Sequence, residues 1–330
     1  MKTFILRRLL SLIPILLGVT FITFLIINLT PGDFLTTMSM DPQVSPDRIE
    51  LLRRDFGLDR PWYIQYGLWV YRLSPFAWPP GFKWPDLGYS FKNKTPVMSL
   101  MGERFVNTLI LTVTAEILTW ILAIPLGVLA AMKRNSWLDR TFSLAVFGGI
   151  SVPEIILGLL AMLFAARTGW FPLGGMHALH YERLSFWSQT ADLAHHLVLP
   201  VLVLTVTGVA SLMRYMRGSL LETMASDYIR TARAKGLSWN RVVFKHAFRN
   251  AINPMITLLG ASFAGLVGNT VLVEVIMGWP GVGNLTYEAL MTKDLYVVMA
   301  SLLVTTTFLI VGNLSADLML AANDPRIRYE

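Results

Sequence analysis

The chain contains no cysteine. This excludes a disulfide framework, a thiolate metal site and a cysteine nucleophile. Charge is scarce as well. Of its 330 residues 15% are charged and 54% hydrophobic, too greasy for a soluble domain of ordinary composition. No G-x-x-x-x-G-K-[ST] stretch occurs, which excludes nucleotide binding through a phosphate-cradling loop. The glycines of residues 278–284 (GWPGVGN) lack its lysine and follow no strand, so they read as a tight turn re-entering the membrane. His195 and His196 are adjacent and diverge on a helix, whereas a helical metal site needs i, i+4 spacing; they read as interfacial side chains. No repeat or low-complexity tract stands out.

What the chain does have is long apolar runs. About 20 such residues at 1.5 Å rise cross the hydrocarbon layer. Six spans are expected, at 9–29, 108–132, 141–166, 197–216, 255–277 and 296–322, giving an all-α polytopic membrane protein. The first follows Lys2, Arg7 and Arg8 like a signal peptide. Its apolar run is too long and no small-x-small cleavage site follows, so a retained helix is expected. Of the 28 Lys and Arg residues, 16 fall at the termini and in the loops after the second and fourth spans. The short loops opposite hold Arg167, Arg183 and Lys293. The positive-inside rule then places both termini in the cytoplasm. The domain reading is a first helix (1–29), an extracytoplasmic segment (30–104), a five-helix core (105–322) containing a cytoplasmic loop (217–254), and a tail (323–330).

In the external segment Ser45 and Asp47 suit a helix start, Gly57 a stop and Pro61 the first turn of the next helix. The segment has little core of its own, and residues 74–85 are rich in Pro and aromatics. Two acids stand inside spans. Burying a carboxylate in hydrocarbon is costly, so Glu116 and Glu154 either line an aqueous path or bond between helices. Glu154 follows Pro153, which can kink its span.

The basic stretch DYIRTARAKGLSWNRVVFKHAFRNAINP (227–254) is helix-patterned, unlike a floppy Gly/Ser/Pro linker. Asp227 suits the start of a short helix and Gly236 its end. Ser238 starts a second, whose apolar face includes Trp239, Val243, Ala247 and Ala251, widened by Val242, Phe244, Phe248 and Ile252. In the first helix Thr231, Ala232, Ala234 and Gly236 are small, while Arg230, Arg233 and Lys235 are charged. It lacks the wide apolar face of a membrane-surface helix. Small side chains admit a close partner, and charges orient it.

This stretch resembles the cytoplasmic coupling loop of ABC importer permeases, in the form of the dipeptide/oligopeptide branch. Against the general pattern Glu-Ala-Ala-x-x-x-Gly, Arg230 and Thr231 replace the first two residues, while Ala232 and Gly236 match. The resemblance extends along the chain through RRLLSLIPILLGVTFITFLI, TPGD, LRRDFGLDRPWYIQY, DLGYS, PVMSLMGERFVNTL, VEVIMGWPGVGNL and DPRIRY. The 74–85 stretch is longer and more aromatic than usual, and Glu116 stands where the branch more often has an apolar residue.

The resemblance implies a type I importer permease fold in a bacterial or archaeal plasma membrane. It implies a homologous second permease chain, two cytoplasmic ATPase subunits and an external solute-binding protein. This chain itself would perform no chemistry and carry no cofactor, ATP and magnesium being held by the ATPases. Asp227, Tyr228, Arg230, Thr231, Ala232, Arg233, Ala234, Lys235 and Gly236 would dock the ATPase. Glu116 and Glu154 are candidates for the path, and the expected cargo is a peptide or peptide-like solute. Nickel complexes, glutathione and oligosaccharides are the alternatives within the family. Outside it stand a proton-coupled carrier, for which the two acids would form a relay, and an integral membrane enzyme, for which no nucleophile or metal set is visible.

Overall fold

The computed structural model describes residues 2–39, 44–74, 85–265 and 268–323. The 75–84 part of the aromatic stretch and the tail from 324 lie outside the described residues. Those described are helical, apart from loops and one isolated antiparallel bridge between Tyr89 and Pro96.

The first helix, α1 (Lys2–Leu29), leads to three short ones, α2 (Phe34–Ser39), α3 (Pro46–Asp55) and α4 (Trp62–Leu73). The start of α3 follows the sequence signals. The Ser45 side chain accepts from the Arg48 N–H, Pro46 opens the first turn, and Asp47 sits at the positive end of the helix dipole. Gly57 follows with φ +67. Next come α5 (Val97–Met132), α6 (Trp137–Ser151), α7 (Glu154–Thr168) and α8 (Phe186–Met224). The loop after α8 holds α9 (Asp227–Ala234), α10 (Trp239–Arg241), a π-helical turn at Val242–Ala247, and α11 (Phe248–Ala251). The chain ends in α12 (Asn253–Gly265), α13 (Val271–Ile276), α14 (Val282–Thr292) and α15 (Leu295–Asn323).

Four helices are long and apolar enough to cross a membrane, and a fifth span results if α6 and α7 are one bent crossing. The bend is 97° and falls at Pro153, where the ring removes a helical hydrogen bond and clashes with the preceding turn. The expected span 255–277 is not one continuous helix. It is divided between α12 and α13, with a turn at 268–270.

By contact density the chain forms two compact units, Thr108–Trp279 with the part from Phe308, and Lys2–Asn107 with Pro280–Thr307. In the first, α5 meets α8 at glycines. A Cβ on Gly127 would lie 2.7 Å from Met216 Cβ and 2.9 Å from the Met213 carbonyl, and one on Gly208 would lie 2.9 Å from Thr119. Small residues of this kind let apolar helices pack where hydrophobic driving force is weak. One end of the unit is tied by an ion pair. The Arg217 Nε and Nη2 donate to the two carboxylate oxygens of Asp139 at 2.7 and 2.8 Å, and the Asn135 N–H adds a third bond at 2.9 Å.

In the second unit the external segment has a core after all, supplied by the start of α15. Phe91 packs against Phe34, Phe56 and Tyr296, with ring centroids 5.7, 4.5 and 5.2 Å apart. Asp294, 1% exposed, accepts from the Ser90 hydroxyl at 2.6 Å and the Lys92 N–H at 3.1 Å. Lys293 donates to the carbonyls of Pro31 and Gly32, and Lys92 pairs with Glu288 at 2.8 Å. These partners are about 200 or more residues apart in sequence.

Candidate functional site

The loop after α8 is ordered by its own packing. Ile229 and Ala232 of α9 are buried with Val242, Val243, Ala247, Ala251 and Met255, against Met216 and Leu220 of α8. The Ser219 hydroxyl donates to the Ala251 carbonyl at 2.8 Å. Helix α9 begins one residue earlier than the capping expectation: Ser226 is the N-cap residue and Asp227 lies in the first turn, where its charge suits the dipole. Gly236 closes the helix at φ +78, its N–H donating to the Arg233 carbonyl at 2.9 Å. Only glycine adopts that left-handed backbone without strain.

The two faces of α9 differ sharply. Asp227, Tyr228, Arg230, Thr231, Arg233, Ala234, Lys235 and Gly236 are exposed. Ala232, expected on the partner face, is 8% exposed and belongs to the chain's own core. It lies three residues after Ile229, and 300° of helical rotation brings both to one side. The exposed side chains are partly held in place. The Tyr228 hydroxyl accepts from the Asn250 amide at 2.8 Å, and the Arg233 guanidinium lies 4.2 Å over the Trp239 ring. Asp227 and Arg230 pair at 3.6 Å with both side chains in solvent, which contributes little.

The second helix departs from its regular pattern. Val242, Val243, Ala247 and Ala251 are buried as expected, but Phe244 is 56% exposed and Trp239 points outward onto Arg233. Phe244 lies within the π-helical turn, whose wider turn rotates that side chain off a 3.6-residue stripe, while Trp239 precedes the turn and is held by Arg233.

A second feature lies within the Thr108–Trp279 unit. Thr112, Glu116, Thr119, Glu154, Ser211 and Asn269 are among the residues around a cleft of about 430 Å³. It brings together both acids singled out by sequence. Glu116 accepts from the Trp120 indole N–H at 2.7 Å, one turn along α5. Glu154 opens α7 just after the bend, and its Oε1 is buried with no hydrogen-bond partner among the described residues. A carboxylate held this way is ready to accept from a donor that enters the cleft.

A third acid escaped the sequence reading. Glu274 in α13 is fully buried and accepts from the hydroxyls of Thr108 at 2.7 Å and Thr270 at 3.1 Å. The available signal was an acid inside an apolar run, the same one that flagged Glu116. Asp139 and Arg217 carry no such signal, because both lie outside the expected apolar spans. The paired histidines do diverge: His195 Nε2 lies 2.8 Å from the Trp170 carbonyl and His196 Nδ1 2.8 Å from that of Asp192.

Comparison with known proteins gives these features a context. Residues 123–329 match the family described as "Binding-protein-dependent transport system inner membrane component", and residues 1–112 match its amino-terminal counterpart. The oligopeptide transport system permease protein AppB of Bacillus subtilis is 40% identical, with 100% of both chains covered. The dipeptide transport system permease protein DppB of Alkalihalophilus pseudofirmus is 34% identical and the glutathione transport system permease protein GsiC of Escherichia coli K12 35%, again over 100% of both chains. Among solved structures, inward-facing MetNI methionine ABC transporter matches with a TM-score of 0.56 at 21% identity, covering 69% of this chain and 97% of that one. That likeness concerns the fold alone. Permeases of this kind are membrane-embedded, and ATP hydrolysis takes place on separate subunits. The whole-length matches and the helical architecture lead to one conclusion: this chain belongs to the family of inner-membrane components of binding-protein-dependent ABC importers.

Proposed function

We propose that this permease carries peptides or peptide-like solutes, with the α5–α7–α8 cleft as part of their path. The carrying observation is the 40% identity to an oligopeptide permease over 100% of both chains. The cleft fits such a cargo. Its hydroxyls and amide suit a peptide backbone, and Glu116 and Glu154 suit a terminal ammonium. Glutathione, the cargo named for the E. coli relatives, is itself a small peptide and fits the same chemistry.

On this reading the complete importer pairs the chain with a homologous permease, two ATPases and an external binding protein. Six crossings place both termini in the cytoplasm, and the external segment receives the binding protein. The exposed side of α9 docks an ATPase, with Tyr228, Arg230, Thr231, Arg233, Ala234 and Lys235 as contacts, Asp227 starting the helix and Gly236 ending it. Ala232 holds the helix against its own core. Deleting the chain from its host should abolish uptake of labelled oligopeptides, and the intact chain should restore it. Unchanged uptake in the deletion strain would rule out the peptide assignment.

The acids are tested separately. Glu154→Gln preserves size and removes charge, and a charge-assisted hydrogen bond is worth about 1.5–3 kcal/mol. Uptake of a peptide with a free amino terminus should fall about tenfold or more, while uptake of its acetylated form changes little. Equal losses for both cargoes would mean that Glu154 bonds only within the protein.

A further inference from the structure

Helix α4 falls in the segment that the sequence places outside the membrane, yet its composition does not suit water. WYIQYGLWVYRL carries a single charge, Arg72, at its last turn. One face, with Trp69 1% exposed, packs inward. The other leaves Trp62, Tyr63, Ile64, Leu68 and Tyr71 exposed, and Ile64, Leu68 and Tyr71 form a stripe at helical spacing. An apolar stripe over two turns in water has no solvation to recommend it.

The contacts of α4 set its depth. The Tyr66 hydroxyl donates to the Leu17 carbonyl at 2.9 Å and lies 3.1 Å from the Thr20 hydroxyl. Its ring meets Phe21 and Phe24 at 5.3 and 5.4 Å, and Trp62 meets Phe21 at 6.4 Å. At 1.5 Å per residue, Thr20 and Leu17 lie about 14 and 18 Å from the end of α1 at Leu29. The apolar run 9–29 just matches a hydrocarbon layer of about 30 Å, so α1 has no length to spare outside it. The Tyr66 hydroxyl therefore reaches about half-way across the layer. Even at full side-chain reach, the Tyr66 backbone stays below the end of α1.

Two further observations agree. The polar side chains on the inward face are satisfied within the protein, as a site without water requires: Gln65 Nε2 donates to the Arg60 carbonyl at 2.7 Å and the Trp69 indole to the Leu87 carbonyl at 3.1 Å. Helix α1, against which α4 packs, likewise exposes apolar side chains at Leu17, Phe21, Ile22 and Ile26. We propose that α4 is seated in the lipid leaflet at the carboxyl end of α1, with its Tyr63, Ile64, Leu68 and Tyr71 edge against acyl chains. It acts as a membrane anchor, held against α1 below that helix's carboxyl end. The topology proposed above makes this the outer leaflet, but the anchor itself does not depend on the direction.

The absence of native cysteine makes the test direct. Ile64→Cys and Leu68→Cys are introduced singly into the full chain, expressed with its partner subunits, with Glu50→Cys on the exposed side of α3 as the aqueous reference. In permeabilised membranes a water-soluble maleimide reaches both faces, so the readout is independent of topology. Labelling at 64 and 68 should be about tenfold slower than at 50, as expected for thiols among acyl chains. A fluorophore on the same cysteines should be quenched by nitroxide-labelled lipid, and one at 50 should not. Equal maleimide rates at all three positions would put α4 in water and overturn the proposal. Slow labelling without lipid quenching would mean that a protein partner covers the stripe, which also overturns it. If Leu68→Cys does not accumulate, Tyr63→Cys supplies the same measurement.

Discussion

Thr231→Trp is expected to leave the chain in the membrane at normal abundance and to abolish transport. Thr231 lies at the centre of the exposed side of α9, opposite Ile229 and Ala232, and its hydroxyl is used only within its own helix, on the Asp227 carbonyl at 3.0 Å. An indole there meets nothing in this chain. In a docked ATPase it would meet a surface shaped for a hydroxyl and a methyl group. At an interface hot spot worth about 2 kcal/mol, association weakens about thirtyfold. Copurification of the ATPase should fall accordingly, and substrate-stimulated hydrolysis should disappear with uptake.

Ala232→Trp is the necessary contrast. Ala232 is buried, so the large side chain overpacks the chain's own core at a cost of about 1–3 kcal/mol or more, and abundance itself should drop. Thr231→Trp with full uptake and an undiminished ATPase complex would sink the coupling assignment. Reduced abundance of Thr231→Trp would show that this face is structural.

The second large effect concerns the ion pair between α6 and α8. Arg217→Ala leaves the Asp139 carboxylate, with a side chain 5% exposed, holding one remaining bond to the Asn135 N–H. Removing one partner of a buried pair costs about 3–5 kcal/mol, because the stranded charge has lost its compensation. Thermal unfolding of the purified chain in detergent should shift markedly downward. Replacing both residues with leucine removes the stranded charge, so the double variant should be more stable than Arg217→Ala. A double variant as unstable as the single one, or a single variant that unfolds like the parent, would refute the buried-pair account.

Much of this protein is legible in local order of residues. Apolar run length alone determines a helical membrane protein, since a chain in hydrocarbon must satisfy its backbone internally. Ser45, Pro46 and Asp47 start a helix, Gly57 and Gly236 follow helices at positive φ, and Pro153 breaks a span. Each of these is decided by a few neighbouring residues. The layout of 227–254 is legible too, because a short charged helix closed by glycine and joined to an apolar one is a local pattern.

Only the tertiary structure decided the rest. Which side of α9 is free depends on what the π-helical turn and the α8 core cover. The external segment acquires a core from residues about 200 positions away, a pairing that no local pattern encodes. Glu116 and Glu154 come to line one cleft because the chain bends 97° at Pro153. Glu274 is instead enclosed by two threonine hydroxyls. All three read alike in sequence, as acids in apolar surroundings. Their difference lies in the donors within reach: an indole on its own helix for Glu116, none for the buried Oε1 of Glu154, and for Glu274 the Thr270 hydroxyl together with that of Thr108, which packing brings from α5.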